Sequence, residues 1–84
     1  MDASLAVRRA AASVLGDIAT TDVVAPLANV ALNDSDDRVR FLAVRGLALT
    51  TGAGPAPTIA AFRQQRSEIL QFWSAWANAN VRGP

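Results

Sequence analysis

The side chains able to do chemistry in this 84-residue chain are eight Arg, six Asp and one Glu, with no His, Cys, Lys or Tyr. Without thiolate or imidazole, the usual zinc and non-haem iron constellations and the commonest general base are excluded. An enzyme built on this inventory would have to run acid–base chemistry from carboxylates alone, so no catalytic, cofactor or metal site is assigned. Three local patterns remain. Asp34, Asp36 and Asp37 cluster as a cation loop would, but lack the spacing, the Gly and the twelfth-position Glu of an EF-hand, and read as helix caps. Gly52-Ala53-Gly54 has the look of a phosphate loop, yet it follows a helix and lacks a Lys-Ser/Thr ending, so it reads as a helix terminator. Val7-Arg8 and Val39-Arg40, with Arg9, Arg38 and Arg45, offer either a strip for phosphates or ion pairs with Asp17, Asp22, Asp34 and Asp36.

The elements that must position these groups are helical. At 51% apolar and 18% charged residues the chain is ordered and globular, and its length sets one small domain that buries about 60% of its unfolded surface. No disulfide supports that marginal core. The net charge of +1 is a smaller surplus than nucleic-acid binders carry. No apolar run approaches the roughly 18 residues of a membrane span, and Met1-Asp2 lacks a basic leader, which gives a cytoplasmic expectation.

Helical spacing predicts a first helix from Ala3 or Ser4 to Ile18, capped by Asp2, with Val7, Ala11, Val14, Leu15 and Ile18 on its core face. Thr20-Thr21-Asp22 is a turn into a second helix from Val23 to Asn33, with Pro26 in its first turn. That helix is apolar nearly all round, which implies neighbours on more than one side. A third helix from Asp36 to Leu49 carries Val39, Ala43 and Leu47 inward. Asp2, Val7-Arg8, Ala11 and Leu15 return as Asp34, Val39-Arg40, Ala43 and Leu47 at a constant offset of 32 residues. A fixed period filled by one helical hairpin is the signature of a stacked helical array.

Asp2-Ala3-Ser4-Leu5-Ala6-Val7-Arg8, Ala11, Leu15-Gly16, Val24-Ala25-Pro26 and Asp34-Ser35-Asp36-Asp37-Arg38-Val39-Arg40 resemble HEAT repeats, in particular the short bacterial kind similar to phycobilisome-lyase HEAT-like repeats. The resemblance implies an all-α α-solenoid fragment of two hairpins and about four helices, serving as a non-catalytic scaffold that binds macromolecules. It does not imply lyase activity. Some relatives handle bilin-carrying proteins and others bind DNA; one enzyme class uses His-Glu metal ligands that this chain lacks. In such repeats the Arg residues are commonly held by acids between helices.

A single domain is therefore expected over 1–79, with repeat one at about 2–33, repeat two at about 34–79 including a Gly/Pro loop at 52–57, and a disordered tail at 80–84. From Pro57 or Thr58 to Ala79 one amphipathic helix is predicted, gathering Ile59, Phe62, Ile69, Leu70, Phe72, Trp73, Trp76 and Ala77 on one face. Similar Trp-containing helices follow the last repeat in some bacterial HEAT-like proteins, so this helix is read as closing the array. Arg66 falls within its apolar arc and needs a partner. Either it stacks on Trp73 or pairs with Asp17 or Asp22; or it anchors a ligand; or the helix breaks near Gln64–Ser67. Trp73 and Trp76 read as core, and Phe41 meets the first helix or faces outward. Phe41, Arg38, Arg45, Arg66, Trp73 and Trp76 are the candidate interaction surface. The functional expectation is a protein-binding module with a protein partner, self-associating as a homodimer. The rival is a nucleic-acid accessory domain contacting phosphates through Arg8, Arg9, Arg38, Arg40 and Arg45.

Overall fold

Short polar side chains set where the helices begin. In the computed structural model, which describes residues 4–18 and 20–80, Ser4 Oγ accepts the Val7 N–H at 3.2 Å and opens α1, Leu5–Ile18. The expected cap, Asp2, lies outside the described residues. A 3₁₀ turn at Thr21–Val23 leads into α2, Val24–Asn33. Pro26 sits in its first turn, where helical N–H groups have no intrahelical acceptor. Asp36 Oδ2 accepts the Val39 N–H at 2.9 Å and caps α3, Asp37–Thr51. Gly52 ends α3 in the left-handed region at φ 67°, donating its N–H to the Ala48 carbonyl, a conformation that a Cβ would penalise.

The single helix expected over 57–79 is two. Thr58 Oγ1 caps α4, Ile59–Gln64, and the chain leaves helical geometry at Gln65 (φ −117°, ψ 25°) before α5, Arg66–Asn80. The break lets two apolar segments reach different neighbours: α4 lies on α3, and α5 lies on α2. Helix α5 also runs through Asn80, into the expected tail; residues 81–84 lie outside the described residues.

Helix α3 is central, with α1 along one flank and α2 along another. Leu27, Ala28 and Ala31 of α2 meet Ala43, Val44 and Leu47 of α3, with Phe62 and Trp73 completing the core. This is the all-α arrangement expected of two stacked units, with five α-helices among the described residues rather than about four. The radius of gyration of 11.7 Å is that of a compact globule, for which about 12 Å is expected at this length.

The contact between α1 and α3 is made backbone to backbone. A Cβ on Gly46 would lie 2.8 Å from the Gly16 Cα, and one on Gly16 would lie 3.1 Å from the Gly46 Cα. This crossing corrects the expected face of α1. Ala12 and Gly16 are the buried residues of that helix, while Val7, Ala11, Val14 and Ile18 point to solvent. Helical spacing gathers that stripe on one face, but among the described residues no helix lies over it and only the other side of α1 is covered. Among the described residues, no helix is long and apolar enough to cross a membrane.

Candidate functional site

The turn between α2 and α3 gathers the acidic residues, and Arg side chains from both ends of the fold converge on it. Arg8 Nε donates to Asp34 Oδ2 at 3.0 Å. Arg9 donates through Nε and Nη2 to the two oxygens of Asp36, each at 3.4 Å. Arg66 Nη1 donates to Asp37 Oδ2 at 2.6 Å. Asp34 Oδ1 also accepts the Asp36 N–H at 2.9 Å. The Asp36 carboxyl is held below its ordinary value of 3.8, chiefly by the Val39 N–H; desolvation opposes this, and Arg9 adds to the lowering. Each of the three carboxylates is thus engaged by a guanidinium. Among the described residues no group of three or more His, Cys, Asp or Glu is placed to hold a metal ion.

Arg66 therefore neither stacks on Trp73 nor pairs with Asp17 or Asp22. The break at Gln65 turns it out of the apolar arc, where it is exposed beside Asp37. With Arg8 and Arg9 neutralised at the same turn, two of the five cations of a phosphate strip are already committed. Arg38 is exposed and Arg45 half-buried, and neither forms an ion pair among the described residues.

The aromatic residues divide between core and surface. Trp73 is 2% exposed and belongs to the core; Trp76 is half-buried beside it, edge to face at 5.6 Å. Phe41 neither meets α1 nor faces fully outward: it is half-buried against Phe62, edge to face at 6.1 Å, because α4 folds back over α3. Phe72, which helical spacing places on the inward arc, is 47% exposed. It lines an apolar groove of about 400 Å³ together with Gly54, Pro55, Pro57 and Ile69. Nothing local in the sequence distinguishes Phe72 from Trp73; Trp73 joins the core with α2 and α3, while Phe72 lies beside Gly54 of the 52–57 loop.

A second groove, of about 740 Å³, is polar. Arg40 of α3, Arg63 of α4 and Arg66 of α5 line it, joined by Asn33, Gln71 and Ser74, and no acid is among its lining residues. Arg40 donates Nη2 to the Leu32 carbonyl at 3.2 Å, while its Nε is buried without a hydrogen-bond partner. Arg63 is exposed and forms no ion pair among the described residues. This juxtaposition draws on four helices, and only Arg40 and Arg66 stood out in the sequence. The available signal was the repeat itself. Asp34 follows Arg8 by 26 residues, and the residue the same distance after Arg40 is Arg66.

The surface thus offers fixed guanidinium donors, an apolar groove and an exposed aliphatic stripe on α1, which is the equipment for binding. Family comparison finds a model described as HEAT repeats that matches residues 1–79. No curated protein and no solved structure matches the chain.

Proposed function

The chain belongs to the HEAT-repeat family, and from that premise we propose that it is a protein-interaction module with no chemistry of its own, whose α1 face takes up a second copy of the chain. The observation that carries this reading is the stripe Val7, Ala11, Val14 and Ile18. All four are exposed, with Val7 and Val14 each at 57%. Their counterparts 32 residues on are Val39, Ala43, Gly46 and Thr50; the first three are buried, and Gly46 touches α1. A face that is covered in one unit and bare in the other asks for a helix to lie on it. A second α1 related by a two-fold axis supplies one. Small Ala11 between the two valines leaves room for the other copy's side chains, and a net charge of +1 repels a second copy only weakly.

Light scattering coupled to size exclusion tests the pairing. The wild-type protein is expected as a dimer at about 100 μM, well above micromolar dissociation constants, and Val14→Arg is expected as a folded monomer with unchanged helical circular dichroism. A wild-type monomer at that concentration overturns the self-association. The broader reading is tested by cross-linked capture from cell extract with and without nuclease. Protein partners that survive nuclease uphold it, and partners released by nuclease transfer the function to the nucleic-acid reading carried by Arg38 and Arg45.

A further inference from the structure

The two repeat units treat equivalent arginines differently. In the first unit, Arg8 is answered by Asp34, a carboxylate 26 residues further along the chain, at 3.0 Å. In the second, Arg40 occupies the matching place 32 residues later, and no acid answers it. The position that would supply one holds Arg66, and Arg63 stands on the same groove. Among the described residues the buried Nε of Arg40 has no hydrogen-bond partner, and the only bond its guanidinium makes is to a backbone carbonyl. A half-buried guanidinium without a counter-charge is costly, and two further cations at its side raise that cost. An anion bound in the groove would relieve Arg40 and Arg63, while Arg66 is already paired with Asp37.

We propose that the Arg40–Arg63–Arg66 groove binds an acidic peptide segment of a protein partner, an Asp-rich turn that takes the place Asp34 holds opposite Arg8. The proposal rests on the interaction-module reading and adds the chemistry of the partner. Size agrees: about 740 Å³ is within the range of ligand-binding clefts and takes a few residues of peptide. Chemistry agrees as well. The guanidinium fork matches a carboxylate in two-bond geometry, and the Arg8–Asp34 pair shows that this scaffold holds carboxylates at this position. Gln71 and Ser74 provide neutral hydrogen-bonding groups beyond the charged end. A continuous phosphate backbone fits less well. Asp37, bonded to Arg66, would repel a continuous polyanion at the edge, whereas a short segment can place its carboxylates against Arg40 and Arg63. The chain's own aspartates in the α2–α3 turn are already engaged by Arg8, Arg9 and Arg66 and are not available to a second copy.

The probe is a fluorescein-labelled peptide with the sequence of residues 32–37, Leu-Asn-Asp-Ser-Asp-Asp, read by fluorescence anisotropy against the full chain at low salt. Saturable binding with a dissociation constant below about 1 mM is expected, weakening as salt is added. The same peptide with Asn at its three acids is expected not to bind. Arg63→Gln, a substitution at an exposed residue outside every ion pair described, should weaken binding about tenfold, as losing a charge-assisted hydrogen bond does. Arg40→Gln should do at least as much; if that variant fails to fold, Arg63→Gln decides alone. The proposal is overturned if the acidic peptide shows no saturation, if the Asn peptide binds equally, or if Arg63→Gln leaves affinity unchanged. It is also overturned if an oligothymidylate of about 12 nucleotides binds more tightly than the peptide, since the groove would then be a phosphate site. Loss of the peptide result with nuclease-resistant partners still captured would remove the groove and leave the module reading standing.

Discussion

The outer stripe of α1 and its counterpart on α3 are close to the same sequence in opposite surroundings. Val7 is 57% exposed and Val39 is 0% exposed, although each precedes an Arg and stands at the same place in its unit. Ala11 is exposed and Ala43 is fully buried. At these two pairs residue type and helical phase are shared, so neither sets their burial. The number of helices stacked on each side does. In an array whose units touch only their neighbours, the pattern records where a neighbour is accommodated, and α1, with no helix on that side among the described residues, shows the same pattern to solvent.

Truncating the matched leucines tests that contrast most severely. Leu47→Ala should cost about 2–5 kcal/mol, because Leu47 is fully enclosed and the site cannot collapse. Leu15→Ala, at the half-buried counterpart, should cost less than half as much in parallel urea unfolding. Equal costs would mean that α1 is as enclosed as α3. The next test reverses the sign of the volume change. Ala43→Leu should overpack the core by about 1–3 kcal/mol, while Ala11→Leu, open to solvent, should stay within about 0.5 kcal/mol. Destabilisation at both positions would restore Ala11 to the core face.

The smallest effect sharpens the comparison by asking what keeps α1 in place on the side that is covered. The Asp36 carboxylate caps α3 and receives Arg9 from α1, and its proton affinity is lowered in the folded chain. The unfolded chain therefore binds more protons in that acid range. The contribution of Asp36 is fully present above the ordinary value of 3.8 and is lost as pH falls through the lower folded value. Asp36→Asn, which keeps a capping oxygen but not the charge, should lower thermal stability slightly at neutral pH and flatten its fall below about pH 4, as removal of a titrating cap does. An unaltered acid limb would show that the Arg9 contact and the cap contribute nothing that titrates.

Legibility in the sequence followed from how local each cause was. The starts of α3 and α4 were readable because Asp36 and Thr58 cap them within three residues, and the end of α3 because Gly52 supplies a left-handed residue. The repeat was readable because an offset of 32 needs only the sequence. The break at Gln65 was legible only as one of three ways to accommodate Arg66 within an apolar arc. Phe62-Arg63-Gln64-Gln65-Arg66 holds no Gly or Pro, and it yields because Phe62 and Trp73 are drawn to different neighbours. The exposure of the α1 stripe could not be read either, since it depends on what lies beside α1. Of the candidate surface, Trp73 was legible as core from its bulk alone. Arg63 carried no signal, because the groove it joins is assembled from residues up to forty positions apart. The pairing of Arg66 with Asp37, in place of Asp17 or Asp22, depended on that break and on which helix end it faces.

The glycine crossing has a mechanical consequence. Where two helices meet through side chains, one can slide along the other by re-sorting rotamers. At Gly16 and Gly46 the main chains touch, and the contact acts as a detent. A shift of α1 by one turn in one direction would bring Ala12 over Gly46, where its methyl group has no room; a shift in the other would run past Ile18, the end of the helix. Shear between the two units is therefore blocked by the backbone itself, and a load carried along the array passes through this crossing as through a pinned joint.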